Sequence, residues 1–478
     1  MKTVSQLSHQ TLLFLARKIY KKFRDQAIQQ KGKAGFKTVL VAGTVGKTSQ
    51  MLVLNQGYQK LGYDIWTGTS LNKNLNTLTG LIMVLGEFRT SLEKSGLIGK
   101  LGFILKATQI WLFKKWSFGP KPLLLLFEVG PDHQYEIDEF VSVFRPSVDA
   151  VVITSLTGEH LAGFKNVFNL ADWQKVQEFI PPQYLSDKVD FEQNQDIPNT
   201  QKNCYIDQLK LLEIAKNYYI PAKDGLEPCD IIRKLENNTN LGPAFAMKIE
   251  ACKKPSVKRD AEFRLIVGKN KLNSRYLVPL SFSRQIFLAQ LLLLDFGLSA
   301  NDFNQMLQEL QLPNSRFGFF DGHNKSKIVD SSYNNDPASA DAFLSLLLEV
   351  RPGAKDILVL GEMRELGENA TEEHQKIINK LKDIASNSEL KVILLGHEWQ
   401  KCSYNRKEFK TFQRVGQIIN YFKRIKLSAE NWVWIKGSQN TIFLEALVEH
   451  LLEDKKESEF LGRRGQDWDQ IRAPYLQN

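Results

Sequence analysis

The stretch that most constrains this chain is KTVLVAGTVGKTSQ, residues 37–50. An apolar run ends in two glycines, a lysine and two hydroxyls, and a helix-compatible segment follows through Tyr58–Leu61. Only a strand–loop–helix unit suits that order. The glycines permit a tight turn, and the backbone N–H groups at the helix start then face inward as an anion cradle. Gly43, Gly46, Lys47, Thr48 and Ser49 supply the residue types that a nucleoside triphosphate and its magnesium require. The spacing departs from the usual G-x-x-x-x-G-K-[ST] pattern, whose first glycine would fall at Val41. A helix-capping turn without a ligand is the alternative reading.

Further strands are predicted at PLLLLFEVG (122–130), apolar on both faces as a central parallel strand is, and at VDAVVITSL (148–156). Strands alternating with helices define an α/β domain on a parallel sheet. Residues 175–260 are polar and rich in Asn, Gln, Lys and Pro. One helix is expected there, at 206–217, within a peripheral insertion. RQIFLAQLLLLDFGL then reads as a buried helix with a glycine stop. Beyond LPNSR (312–316), strands recur in KIVDSS, DILVLGE, KVILLGH and NWVWIKGS, which makes a second α/β unit. At 478 residues the chain is too long for one ordinary core. The expected division is a basic N-terminal helix (1–36), a central ATP-binding domain (37–313) and a C-terminal domain (314–478).

Charge is concentrated at the start. Of the net charge of +10, residues 1–36 carry eight Lys and Arg against Asp25 alone, and the remainder is nearly balanced. No RNA-binding aromatic motif, zinc finger or basic stripe is present, so a nucleic-acid partner is not expected. Residues 8–30 read as an amphipathic helix with Leu12, Leu15, Ile19 and Phe23 on one face and Arg17, Lys18, Lys21, Lys22 and Arg24 around them. Docking on the protein's own body and contact with an anionic membrane surface both remain open for it. The four cysteines are dispersed, no signal peptide is visible and no apolar run spans a bilayer, which leads us to expect a cytoplasmic protein with free thiols. No obligate protein partner is evident.

The glycine loop in the form GTVGKTS resembles that of the Mur ligase family, and further motifs appear in the family's order. NKNLNTLTG (72–80), FEVGPDHQYEID (127–138), VVITSLTGEHLAGF, IVDSSYNNDPAS (328–339), VLGEMRELGENATEEH (359–374) and IKGSQ (435–439) followed by Glu445 are similar to the MurF branch. The resemblance implies a P-loop ATPase domain on a parallel sheet, followed by a Rossmann-like α/β ligase domain. It also implies an ATP- and magnesium-dependent carboxylate–amine ligase working through an acyl phosphate. In that branch D-alanyl-D-alanine is joined to a UDP-linked muramoyl tripeptide during peptidoglycan synthesis.

By the same resemblance Gly43, Thr44, Val45, Gly46, Lys47, Thr48 and Ser49 hold the phosphates. Thr48, Glu128 and His160 bind magnesium, and Arg316 reaches the γ-phosphate. Asp330, Asn334 and Asp336 hold ribose and adenine. A structural carboxylate at Glu128, a surface ion pair at Arg316 and an Asx-turn before Pro337 are the competing readings. Glu365, His374, Lys436 and Ser438 are left between domain architecture and the amine substrate. The family's carbamylated lysine would fall at Gln174, with Lys175 one step further on. Ser155 replaces an asparagine, Ser331 and Asp336 depart from the nucleotide motif, and the usual UDP-gripping domain has no counterpart before the loop. The alternatives are therefore a Mur-type ligase for another acid and amine, or a catalytically weakened ATP-binding paralogue.

Overall fold

The computed structural model describes residues 2–43, 46–68, 77–88, 97–130, 136–154, 167, 169–177, 199–221, 231–232, 256–352, 354–364, 366, 370–386, 388–402, 409–437 and 442–477. The chain divides into two compact units. The first comprises Met1–Ser256 with Ser281–Leu307, and the second Val257–Leu280 with Gln308–Asn478. The second unit thus takes a segment, Val257–Leu280, that the sequence reading left in the central domain.

The first unit is built on strands β1 (Phe36–Ala42), β2 (Asp64–Thr67), β3 (Leu123–Glu128), β4 (Ala150–Ile153), β5 (Tyr218–Pro221) and β6 (Ile231–Ile232), in the spatial order β2-β3-β1-β4-β5-β6. All neighbours are parallel except β5 and β6. The all-buried LLLLFE of β3 lies between β1 and β2, as its two-sided apolarity required. The expected helix at 206–217 is instead an α-helix over Asn199–Leu209 followed by a 3₁₀ turn over Lys210–Ile214. The buried helix with the glycine stop is Ser283–Asp295, and Gly297 follows it at φ 96°.

Helix α1 (Lys2–Gly35) is longer than the sequence suggested and belongs to this unit's core. Leu15, Ile19, Phe23 and Ala27 recur every four residues and are buried, while Arg17, Lys18 and Lys21 stay in solvent. Phe23 is fully buried and meets Phe36, Trp116 and Phe118 edge-on and Trp66 at a tilt. Gln26 and Gln30 bond the backbone of Trp116 and Phe118. Of the two readings for this helix, docking on its own body is the one seen. Of the helices that follow, α3 (Leu78–Gly86), α4 (Leu97–Phe113) and α5 (Glu136–Phe144) pack on α1, and α2 (Lys47–Lys60) packs on the helix Ser283–Asp295.

The second unit carries a small antiparallel sheet of β7 (Val257–Arg259), β8 (Leu265–Val267) and β9 (Asn270–Lys271). Its main sheet is built from β10 (Gly318–Asp321), β11 (Lys327–Ser331), β12 (Ile357–Gly361), β13 (Lys391–Leu395), β14 (Phe409–Phe412) and β15 (Trp432–Lys436), in the order β10-β11-β15-β12-β13-β14. Only the edge strand β10 is antiparallel. The four strands read from the sequence are β11, β12, β13 and β15; the two edge strands were not foreseen. Among the described residues no helix is long and apolar enough to cross a membrane. Cys204 and Cys402 are buried free thiols.

Because Phe23 sits among four aromatic rings with no solvent contact, Phe23→Ala should cost about 3–5 kcal/mol in urea unfolding of the whole protein. A loss below about 1 kcal/mol would mean that α1 is an appendage rather than core.

Candidate functional site

Three strand tips meet at the glycine loop. β1 runs between β3 and β4, with Val41 opposite Glu128 and Ala42 opposite Ile153. Past the last pairs, Val129 N–H donates to Val41 O (2.8 Å) and Thr154 N–H to Ala42 O (2.9 Å). The loop therefore leaves β1 at the carboxyl ends of the strands, where open α/β sheets place their ligands. Gly43 has φ 123° and Gly46 φ 87°, conformations that L side chains rarely adopt. A Cβ at Gly46 would also overlap the Gln285 amide, which lies against the loop from the helix Ser283–Asp295. Lys47 opens α2 directly after this turn, so the N–H groups of the first helical turn follow the glycine.

Glu128 is the last residue of β3 and only 6% exposed. Thr48 donates its hydroxyl to Glu128 Oε2 at 3.4 Å. A buried carboxylate is costly without a partner, and this one meets a hydroxyl one residue from Lys47. One carboxylate plus one hydroxyl is a hard-oxygen donor pair of the kind magnesium takes alongside substrate phosphates. Among the described residues no group of three His, Cys, Asp or Glu forms a metal cage. Thr44, Val45, Ser155 and His160, and residues 72–76 of the asparagine-rich segment, lie outside the described residues.

Lys175 is not brought to this loop. It is exposed on the helix Leu170–Gln177, and its Nζ lies 3.6 Å from Glu213, which Arg145 also pairs. Glu213 adjoins Ile214, whose carbonyl accepts from Val148 N–H ahead of β4. That is the amino-terminal end of the strand, opposite to Thr154 and the loop. The helix is held there by Lys210, which pairs with Asp172 and Asp138 (2.9 Å each) and with Asp207 (3.1 Å). The place expected for Lys175, as a carbamylated metal ligand, therefore differs from the contact described, which is with Glu213.

In the second unit, the tips of β11, β15 and β12 gather the other sequence-predicted residues. Ser331 and Leu360 flank Lys436 at the end of β15. Asp330 and Glu445 have no solvent exposure, and Lys436 is 3% exposed. Lys436 donates to the Asn334 carbonyl. Burial pulls its amine down from 10.5 to about 7; Asp336 and Asp330 oppose that shift and Arg316 adds to it. Burial pushes Asp330 up, and pushes Glu445 up to about 7 although Arg463 stands 3.2 Å away. Arg316 and Arg463 lie over the Tyr333 ring at 5.1 and 5.0 Å, and Arg463 also donates to the Tyr333 carbonyl at 2.6 Å. Ser332 N–H donates to Asp330 at 2.9 Å. Gly437 passes so close to the Ser332 backbone that no Cβ fits there.

Two of these residues make structural contacts. Asp336 caps the helix Pro337–Val350: its carboxylate accepts from Ser339 N–H (2.9 Å) and from the Ser339 hydroxyl (2.7 Å). The turn before Pro337, the competing reading for this residue, is thus present. His374 is buried with both ring nitrogens on backbone, Nε2 accepting from Met363 N–H (2.9 Å) and Nδ1 donating to Ala370 O (2.6 Å), contacts of a structural kind. Burial pushes its pKa down, in keeping with a neutral ring. Glu365 and Ser438 lie outside the described residues. Arg463 and Tyr333 were missed; the first arginine in LGRRGQ carries no local signal that it turns inward.

No family model matches the chain. It is 22% identical over 452 residues to the UDP-N-acetylmuramoyl-tripeptide–D-alanyl-D-alanine ligase of Rickettsia prowazekii, covering 93% of this chain and 84% of that protein. Over 131 residues, 27% of each chain, it is 31% identical to the ligase of the same name from Buchnera aphidicola. Among solved structures, MurF from Acinetobacter baumannii aligns with a TM-score of 0.52 at 17% identity, over 91% of this chain and 80% of that one. MurF from Thermotoga maritima, solved in complex with ADP, aligns at 0.52 and 15% identity, over 94% and 84%. The fold is that of the Mur ligases. Within that class the likeness is to the MurF branch, as the motifs implied.

Lys436 gives a pH test. Above 10.5 its amine is neutral in folded and unfolded chains alike. Between about 7 and 10.5 only the unfolded chain holds the proton, so this residue lowers stability as pH falls through that window. The stability of Lys436→Met relative to the parent, from urea midpoints, should therefore be greatest near pH 7 and shrink toward pH 9.5. A difference that stays flat would show an unshifted amine.

Proposed function

We propose that this chain is an ATP-dependent amide ligase of the Mur type, joining the carboxylate of a UDP-linked muramoyl peptide to D-alanyl-D-alanine. The observation that carries the proposal is the Thr48–Glu128 contact beside the positive-φ glycine at 46. It supplies a phosphate cradle and a hard-oxygen metal site at one set of strand tips. The nearly full-length likeness to a ligase of that name supports the substrate pair.

In this reading the backbone from Gly43 to Ser49 and the Lys47 ammonium hold the triphosphate tail. Thr48 and Glu128 hold magnesium, which when bound offsets the negative charge that gathers between phosphate and carboxylate. A substrate carboxylate oxygen displaces ADP from the γ-phosphorus. The amine then attacks the acyl carbon, phosphate leaves with the oxygen it captured, and the amine gives up a proton. Arg316, Asp330 and Asn334 are assigned to the nucleotide within the same proposal, and His160 remains the second metal ligand implied by the resemblance. Asp336 and Lys175 are left out, since their side chains already serve a helix cap and an ion pair.

Purified protein should release phosphate from ATP only when both the UDP-linked tripeptide and D-alanyl-D-alanine are present, and chelation of magnesium should abolish release. Glu128→Gln should lower turnover by about a hundredfold or more while melting like the parent. Silence with this pair, but release with another acid and amine, would replace the substrates and keep the ligase class. Unchanged turnover in Glu128→Gln would remove the proposed metal site.

A further inference from the structure

The outer face of α4 has the wrong polarity for a helix in water. Leu101, Leu105 and Leu112 fall within about 40° of one another around the helix axis. Each is more than half exposed, and Phe113 beyond them is 76% exposed. The opposite face, with Phe103, Ala107 and Ile110, is the one buried in the core. Both faces are therefore apolar, although only one has a partner in the described structure. Phe14 of α1, 46% exposed, stands edge-on to Trp111 at 5.5 Å and extends the apolar strip onto α1.

The charges around this strip are of one sign. Residues 97–118 contain Lys100, Lys106, Lys114 and Lys115 and no acid at all. Lys100 and Lys106 fall on either flank of the leucine ridge, as the helical period places them. On α1, Arg17, Lys18 and Lys21 are exposed beside it. Among the described residues, Glu87 pairs with Lys114 (2.6 Å) and Asp25 with Arg24 (3.2 Å), while Glu93, just before α4, lies outside them. On the α5 side the cationic surface continues into an open cavity of about 520 Å³ bounded by Arg17, Lys21, Arg24 and Arg145, with Glu213 as its acid. An apolar strip flanked by cations, with the acids beside it paired among the described residues, is the composition of an interfacial helix on an anionic bilayer.

We propose that the α1–α4 face docks this protein on the surface of an anionic phospholipid bilayer, with the α4 leucines and Phe113 entering the headgroup boundary and the flanking lysines meeting lipid phosphates. The attachment is peripheral and does not depend on the catalytic reading. A second copy of the chain would cover apolar area, but it would bring the same cations face to face, which disfavours it.

The test is co-sedimentation of the full-length protein with large vesicles of phosphatidylcholine alone or mixed with phosphatidylglycerol. Binding is expected to the mixed vesicles, to fall as salt is raised, and to be at least about tenfold weaker to neutral ones. Lys100→Glu with Lys115→Glu, and separately Leu105→Asp with Phe113→Asp, should each weaken binding by about tenfold or more while leaving the melting temperature and phosphate release unchanged. Equal binding to both vesicle types, binding to neither, or retention by both variants would overturn the proposal. So would a dimer in sedimentation equilibrium that Leu105→Asp with Phe113→Asp dissolves, which would assign the face to a second copy.

Discussion

The pairing of β1 with β3, Val41 against Glu128, is the constraint on which the site depends. It sets a carboxylate at the strand tip beside the turn that begins α2. A slip of one residue would turn Glu128 to the other face of the sheet and bring Val129 into its place. The slip is resisted because β3 is buried on both faces, so its packing is fixed along the whole run. The hydrophobic core thereby positions a charged group that it would otherwise exclude, and the Thr48 hydroxyl gives that group a partner.

The second unit meets a similar problem at higher charge density. Asp330, Glu445, Lys436 and Arg463 are each at most 9% exposed. Their burial moves proton affinities toward neutral forms, with Lys436 drawn down and Asp330 and Glu445 pushed up. A cluster in which groups of both signs approach neutrality can rebalance when an anion enters, and such clusters concentrate at working sites. Gly437, packed on the Ser332 backbone, shows how tightly the strand tips close around it.

Much of this was legible in the sequence where local rules dominate. The strand–glycine–helix unit, the four inner strands of the second sheet and the glycine stop after Asp295 follow from periodicity and turn chemistry. The edge strands β10 and β14 were not, because short half-exposed strands lack a two-sided apolar signature. The position of Lys175 depends on the long-range anchor made by Lys210 and its three aspartates, which spacing cannot reveal. Asp336 was open to two uses, and the Pro337 helix start favoured the local one. The basic residues of α1 were visible, but that its apolar face is core depended on Trp66, Trp116 and Phe118, all distant in sequence.

The most direct test of the ligase chemistry follows an oxygen atom. The muramoyl-peptide carboxylate would be labelled with heavy oxygen and turned over with ATP, magnesium and D-alanyl-D-alanine, and the released phosphate examined by mass spectrometry. One labelled oxygen per phosphate is expected, carried over when the acyl phosphate is cleaved by the amine. Unlabelled phosphate, with the label retained in the peptide, would mean that ATP is hydrolysed by water and that no acyl phosphate forms at these strand tips.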